Sequence, residues 1–297
     1  DYANDTATAL SKGKLSSARM TLDAVSSRGN GQSSPTTKTV DKGADGYTVS
    51  GSLGPAYGYW SGGTEPSNNR TIVDRIDFAS DTTACAPKGP LSEALAYLSG
   101  TNSADFGYLG GGYVPSSPSP KSTVDKISFS NDTVTAVVKG PLVAAKYMTA
   151  STGNGIYGYW SGGQTPVVSS VDRIDYSNDT VVATAKGPLT VAKDSHAATS
   201  NRALVSQIKL KGVTGTLPEV QGPLTSYTTN YGYFAGGFNT GVPAKYSEID
   251  RVDFSNDTAT ASLKNHLPSV LYGMGATSNQ THGYFIGGHD GSNILSR

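Results

Sequence analysis

The chain has 297 residues, with 23 basic side chains against 23 acidic ones and only 15% charged residues, where roughly 25% is usual in globular proteins. The two signs are interleaved and no basic stripe forms, so no nucleic-acid partner is expected. No apolar run reaches the roughly 18–20 residues that cross a bilayer, and the lone Cys85 excludes an intrachain disulfide and a cysteine-rich metal site.

In chain order one landmark recurs: Gly13-Lys14-Leu15, Gly54-Pro55-Ala56, Gly89-Pro90-Leu91, Gly140-Pro141-Leu142, Gly187-Pro188-Leu189, Gly222-Pro223-Leu224 and the degenerate His266-Leu267-Pro268. Their numbers place them about 35 to 51 residues apart, near the period of about 40–50 of a four-stranded propeller blade. Seven such units predict an all-β, seven-bladed β-propeller. The unit that begins at Gly140 shows the pattern most fully. A first strand is predicted over 142–151 and a second over 156–161, whose aromatics suit a strand packed on both faces. Gly162-Gly163 ends the second strand, and a variable loop leads to a third over 171–176. Asn178-Asp179 then turns into a fourth over 181–186, since Asn and Asp side chains bond their own backbone in tight turns. Asn4-Asp5, Ser80-Asp81, Asn131-Asp132 and Asn256-Asp257 are equivalent and read as hairpin chemistry.

The diglycines Gly62-Gly63, Gly110-Gly111, Gly162-Gly163, Gly236-Gly237 and Gly287-Gly288 each close a hydrophobic strand ahead of a loop and further strands, an arrangement that resembles the kelch family of propellers. Where kelch repeats carry Tyr and Trp after the diglycine, this chain has phrases such as Val171-Asp172-Arg173-Ile174-Asp175-Tyr176. More specifically, Gly232 to Gly237, Val171 to Thr180 and Lys186 to Leu189 are similar to repeats of virion and tail-fibre-like proteins of marine phages.

Two units look defective. After Ser26–Gly31, and again after Thr199-Ser200-Asn201, the chain passes to loop or third-strand phrases (Thr39 to Lys42; Val205 to Ile208) without an aromatic strand ending in Gly-Gly. Gly54-Pro55-Ala56 also runs directly into Tyr57-Gly58-Tyr59-Trp60 with no first strand. Two blades, near 31–56 and 201–224, therefore read as shortened. Residues missing at Gly31/Gln32, Ala56/Tyr57 and Asn201/Arg202 are expected, because true three-stranded blades would expose their neighbours' apolar faces. The start at Asp1 without Met reads as a processed or partial polypeptide. Asp1 to Thr6 reads as the second half of a third strand with its turn, and Asn293 to Arg297 as the first half of one. Residues 1–12 with 267–297 are thus expected to close the last blade of one domain spanning 1–297.

The most conspicuous charged feature is the pair Asp74-Arg75, repeated as Asp125-Lys126, Asp172-Arg173 and Asp250-Arg251. Adjacent strand residues point to opposite faces, so the basic member is expected to reach an Asp of the next blade in a structural role. An arginine grip on carboxylates, as in sialidases, would come with Asp-box turns, and none is present. His196, His266, His282 and His289 lack metal-ligand spacing, and no catalytic constellation or cofactor site is expected. Cys85 replaces plain Val or Ala of an outer strand, unlike the Cys joined to Tyr of galactose-oxidase-like kelch enzymes.

The loops after the diglycines vary most, and they are expected on one face with the Gly-Pro-Leu crossings while the Asn-Asp turns cover the other. Scaffold-borne loops are where binding usually resides. Tyr113, Phe238, Tyr246 and His289 are the candidate binding residues, since aromatics with a polar tip suit sugar or protein surfaces. Together the resemblance and the residues imply a non-catalytic structural or adhesive protein at the virion surface, such as a tail fibre, appendage or capsid-surface protein. Its expected partners are host-surface glycan or protein and other virion proteins, in a homo-oligomer or a larger assembly, without membrane insertion. An intracellular kelch-type interaction scaffold and a carbohydrate-active enzyme are the alternatives.

Overall fold

The computed structural model describes residues 23–26, 38–42, 47–51, 57–65, 68–114, 119–200, 230–242, 244–278 and 282–295. Within them the chain is all-β, built of short antiparallel strands with one three-residue helical turn at Tyr176–Asn178. The first four-stranded sheet is Asp23–Ser26, Tyr57–Ser61, Val73–Asp77 and Ala86–Lys88, adjacent in that order. The second is Ser99–Asn102, Phe106–Gly110, Val124–Ser128 and Val137–Lys139. The third is Ala150–Gly153, Tyr157–Ser161, Val171–Asp175 and Thr184–Lys186. The fourth is Ala197–Ser200, Tyr231–Ala235, Glu248–Asp253 and Ser262–His266. A pair, Gly275–Ser278 with Gly283–Ile286, repeats the first two strands of the pattern, and Lys38–Lys42 pairs with Tyr47–Gly51 as a separate hairpin.

The first strands of successive sheets lie side by side in chain order, from Asp23–Ser26 through Ser99–Asn102, Ala150–Gly153 and Ala197–Ser200 to Gly275–Ser278. The core sits between sheets. Tyr59, Leu91, Leu109 and Ile127 fill the space between the first and second, Tyr108, Leu142, Trp160 and Ile174 that between the second and third, and Tyr159, Leu189, Phe234 and Phe254 that between the third and fourth. At each junction a second-strand tyrosine stacks on an aromatic of the next sheet, with ring centroids 5.2 Å apart for Tyr59–Phe129, 4.5 Å for Tyr108–Tyr176 and 4.5 Å for Tyr159–Phe254. These are preferred offset-stacking distances.

The pairing corrects the reading of the shortened units. Asp23 lies opposite Ser61 and Ser26 opposite Gly58, so Asp23–Ser26 is the first strand that the text before Tyr57 lacks. Ala197–Ser200 pairs with Tyr231–Ala235 in the same way. Each irregular junction thus falls inside one sheet, between its first and second strands. In sequence, Gly54-Pro55-Ala56 and Gly222-Pro223-Leu224 fall between those first and second strands and outside the described residues. The expected gaps at Gly31/Gln32, Ala56/Tyr57 and Asn201/Arg202, the third-strand phrase Val205 to Ile208, and the closure by Asp1–Thr6 fall on or beside residues outside the described ones. At the other end Leu295 donates its N–H to the carbonyl of Gly288 (2.8 Å), as Arg70, Lys121 and Val168 do to their second glycines. Each of those three stands three residues ahead of its third strand, so Asn293–Leu295 belongs to the approach loop and not to the strand.

Several boundaries also move. Residues 142–149 form a linker and not a strand, because their N–H groups go sideways: Leu142 to Ser122 (2.8 Å) and Lys146 to Lys121 (3.1 Å). The second sheet's diglycine is Gly111-Gly112, with φ of +71° and +112°, while Gly110 still belongs to the strand. The last landmark shifts by one residue. Leu267 bonds Ser247 as Leu142 bonds Ser122, so Asn265-His266-Leu267 is the equivalent triplet. The landmark glycine has a steric cause: Gly140 donates to Asp179 O (2.8 Å) in the next sheet, and a Cβ there would fall inside the carbonyl of Val181.

Candidate functional site

The recurrent charged residues divide between two networks. Arg75, Lys126 and Arg173 each cross to an aspartate of the next sheet, as expected, and that aspartate is the one in the Asn-Asp turn. Arg75 meets Asp132 at 2.7 Å, Lys126 meets Asp179 at 2.6 Å and Arg173 meets Asp257 at 2.8 Å. The same carboxylates accept from a fourth-strand lysine, Lys88, Lys139 or Lys186 at 3.4, 3.1 and 3.1 Å. They also accept from the buried hydroxyls of Tyr59, Tyr108 and Tyr159 at 2.9, 2.8 and 2.9 Å. Asp132, Asp179 and Asp257 are therefore buried three-way anchors between sheets. Burial works to raise the Asp179 carboxyl, but bonds from Lys126, Tyr108 and Lys139 outweigh it and hold it below the usual carboxylate range. Only the aspartate of each of these turns is inserted between sheets, while the residues on either side of it are exposed, and the fourth strand of the third sheet begins at Thr184, so residues 181–183 of the expected strand lie outside it. The basic side chains also cap aromatics of their own sheet, Arg75 over Tyr57, Lys126 over Phe106, Arg173 over Tyr157 and Arg251 over Tyr231 at 3.8 to 4.3 Å.

The aspartates of the pairs point the other way and hold the linkers. Asp125 accepts from Ser92 N–H and Oγ (2.9 and 2.6 Å). Asp172 pairs with Lys146 at 3.1 Å and Asp250 with Lys193 at 2.9 Å. Asp74 is fully buried. Lys146 and Lys193, which sequence reasoning missed, occupy the linker position of Leu95 and Leu271, as shared bonds to the second glycines of Gly63, Gly112, Gly163 and Gly237 show. Their spacing after Gly-Pro-Leu was the available signal.

The linkers and the post-diglycine loops do share one face. Bridges join Ala96 to Tyr113, Tyr147 to Gln164, Asp194 to Phe238 and Tyr272 to His289. Consecutive linkers are also tied to one another, Met148 N–H to Tyr97 O (3.0 Å), Ser195 to Met148 (3.0 Å) and Gly273 to Ser195 (2.7 Å). Tyr97, Met148 and Ser195 hold φ near +50°, at +56°, +56° and +51°, a conformation that costs an L-residue about 1–3 kcal/mol and persists only where the surroundings fix it. Three candidate residues, Tyr113, Phe238 and His289, stand at equivalent positions just after the diglycine and are half-buried. Tyr113 meets Tyr147 at 4.9 Å between centroids, Phe238 meets Tyr272 at 5.4 Å and His289 meets Tyr272 at 5.2 Å. Tyr147 and Tyr272, each one residue after the linker position of Lys146 and Leu271, were not anticipated. Tyr246 is apart from them at the base of its loop, where its N–H bonds Gly237 O and its carbonyl accepts from Leu271.

Ser161 Oγ lies 2.8 Å from His196 Nε2, a contact that resembles a nucleophile with its base. Both are buried, and burial, helped by Lys193 and Lys146, keeps the imidazole neutral by lowering its pKa. The pair fills space between linker and sheet where no substrate reaches it. His266 bonds Ser247 Oγ (3.1 Å), and among the described residues no group of three or more His, Cys, Asp or Glu is placed to hold a metal. No helix among them is long and apolar enough to cross a membrane. No protein-family model matches the chain, and no curated protein is significantly similar to it.

Proposed function

We propose that the sheets are blades of a kelch-like β-propeller that serves as a rigid, non-catalytic adhesive module of a virus particle, gripping host-surface glycan with its loop face. The observation that carries this is the set of half-buried aromatics, Tyr113, Tyr147, Phe238, Tyr272 and His289, displayed by linkers that are bonded to one another in series. The radial arrangement is supported by first strands that neighbour in chain order and by a core divided between consecutive sheets. Two of the seven landmarks fall in sequence between strands that pair with each other, Asp23–Ser26 with Tyr57–Ser61 and Ala197–Ser200 with Tyr231–Ala235, so the proposal takes one blade per diglycine, five in this chain. The viral setting rests on the repeat wording. A pre-organised surface loses little conformational entropy on binding, which suits a module whose task is adhesion.

The test is attachment. Antibody against the chain should decorate the exterior of the particle, and the purified chain should compete with the particle for host cells. A Tyr113→Ala/Phe238→Ala variant with an unchanged melting temperature should fail to compete. An undecorated particle, or full competition by the variant, overturns the proposal.

A further inference from the structure

Reading the loop face junction by junction shows an alternation. Where the second sheet meets the third, Tyr113 packs on Tyr147, with Tyr97 6.0 Å from Tyr147. Where the third meets the fourth, the equivalent positions are Gln164 and Asp194. Where the fourth meets the fifth, Phe238 packs on Tyr272. Two aromatic steps are thus separated by one polar step, on equivalent backbone positions.

Resting on the adhesive reading, we infer that this arc holds an extended neutral oligosaccharide, its sugar rings stacked on Tyr113/Tyr147 and on Phe238/Tyr272, with hydroxyls facing Gln164 at the step between them. A pyranose presents a face of C–H bonds to an aromatic ring and hydroxyls around its edge, so it takes apolar and polar steps in turn. The Gln164 amide lies on the surface, donating to Thr240 Oγ1 at 3.0 Å, and its carbonyl is free to turn toward a ligand hydroxyl. Asp194 is buried and its Oδ2 is shut away from the surface, so Gln164 is the group of this step that meets a ligand. Asp194 lies close enough to Tyr147 to join burial and Tyr113 in raising that phenol.

Charge decides which sugars. The basic side chains of these loops are engaged: Arg70 by Glu65, Lys121 by Glu93 and Lys245 by the Asp290 carbonyl. An acidic sugar would find these cations already paired. A quaternary ammonium needs rings spread around it, whereas centroids 4.9 to 6.0 Å apart are rings packed on each other.

The test is titration of the full chain with cellohexaose, laminarihexaose, maltohexaose and mannohexaose, their disaccharides, hexamers of galacturonic and sialic acid, and choline. A neutral hexaose should bind roughly tenfold more tightly than its disaccharide, since only the longer chain spans both steps. Tyr147→Ala and Tyr272→Ala should each weaken it about tenfold at unchanged melting temperature, and Tyr147→Phe should keep most of the affinity. The inference is overturned if no neutral hexaose binds, if acidic hexamers or choline bind better, if the disaccharide binds as well, or if both alanine variants bind normally. Those results leave the adhesive reading standing as long as the chain still competes with the particle for host cells through Tyr113 and Phe238.

Discussion

Removing the carboxylate of Asp257 should cost far more than removing the arginine that meets it. In the Asp257→Ala variant Arg173, Lys186 and Tyr159 lose their common acceptor, bonded at 2.8, 3.1 and 2.9 Å. Deleting one partner of a buried ion pair costs about 3–5 kcal/mol when the other charge stays buried. The Arg173 side chain is 24% exposed and Lys186 10%, so both recover some hydration and the ionic part falls to about 2 kcal/mol. The Tyr159 hydroxyl is wholly buried, and stranding it adds about 1–2 kcal/mol, for a total of roughly 3–4 kcal/mol. In Arg173→Ala, by contrast, Asp257 keeps Lys186 and Tyr159, and the losses are one ionic bond and the contact over Tyr157, about 1.5 kcal/mol. At about 2 °C per kcal/mol for a chain of this size, melting temperatures should fall by roughly 6–8 °C and 3 °C. Urea unfolding followed by fluorescence of the buried Trp160 gives the free energies. An Asp257→Ala cost below about 1 kcal/mol, or one smaller than that of Arg173→Ala, would refute the anchor.

The steric account of the landmark predicts that Gly140→Ala, whose Cβ meets the backbone of Val181, costs about 3 kcal/mol or more. Gly155→Ala, with φ of +85° but nothing near its Cβ, should cost only about 1 kcal/mol; equal costs in parallel melts would remove that explanation. His196 supplies a pH dependence. Its folded pKa lies well below the ordinary value because of burial, so its contribution is complete above the unfolded value of about 6.5 and is lost as pH falls below it, by up to about 1.4 kcal/mol per pH unit. Urea melts at pH 7.5, 6.0 and 5.0 should show this loss in the native chain and less of it in His196→Leu, the residue that Leu98 places at the equivalent position; an unchanged slope would show that His196 takes up its proton in the folded state.

The repeat by itself determined the strand-turn-strand grammar. Aromatic strands ending in Gly-Gly, Val-Asp-Arg-Ile-Asp strands and Asn-Asp turns stand where their local chemistry puts them, because backbone sterics and side-chain alternation act within a few residues. The positions of Tyr113, Phe238 and His289 just after the diglycines followed from the same grammar. Tertiary structure decided what lies between units. No local signal shows that Asp23–Ser26 pairs with Tyr57–Ser61 across an insertion, because a strand's partner is chosen by long-range burial and not by the text beside it. The sequence also marked Asp132, Asp179 and Asp257 as turn formers, since a turn aspartate looks the same whether its carboxylate faces water or the Tyr, Arg and Lys of the preceding sheet. Only the packing of sheet on sheet makes it an anchor. The aromatic partners Tyr147 and Tyr272 stayed hidden for the same reason, because linker residues more than 30 positions from Tyr113 and Phe238 meet them only after neighbouring sheets have docked.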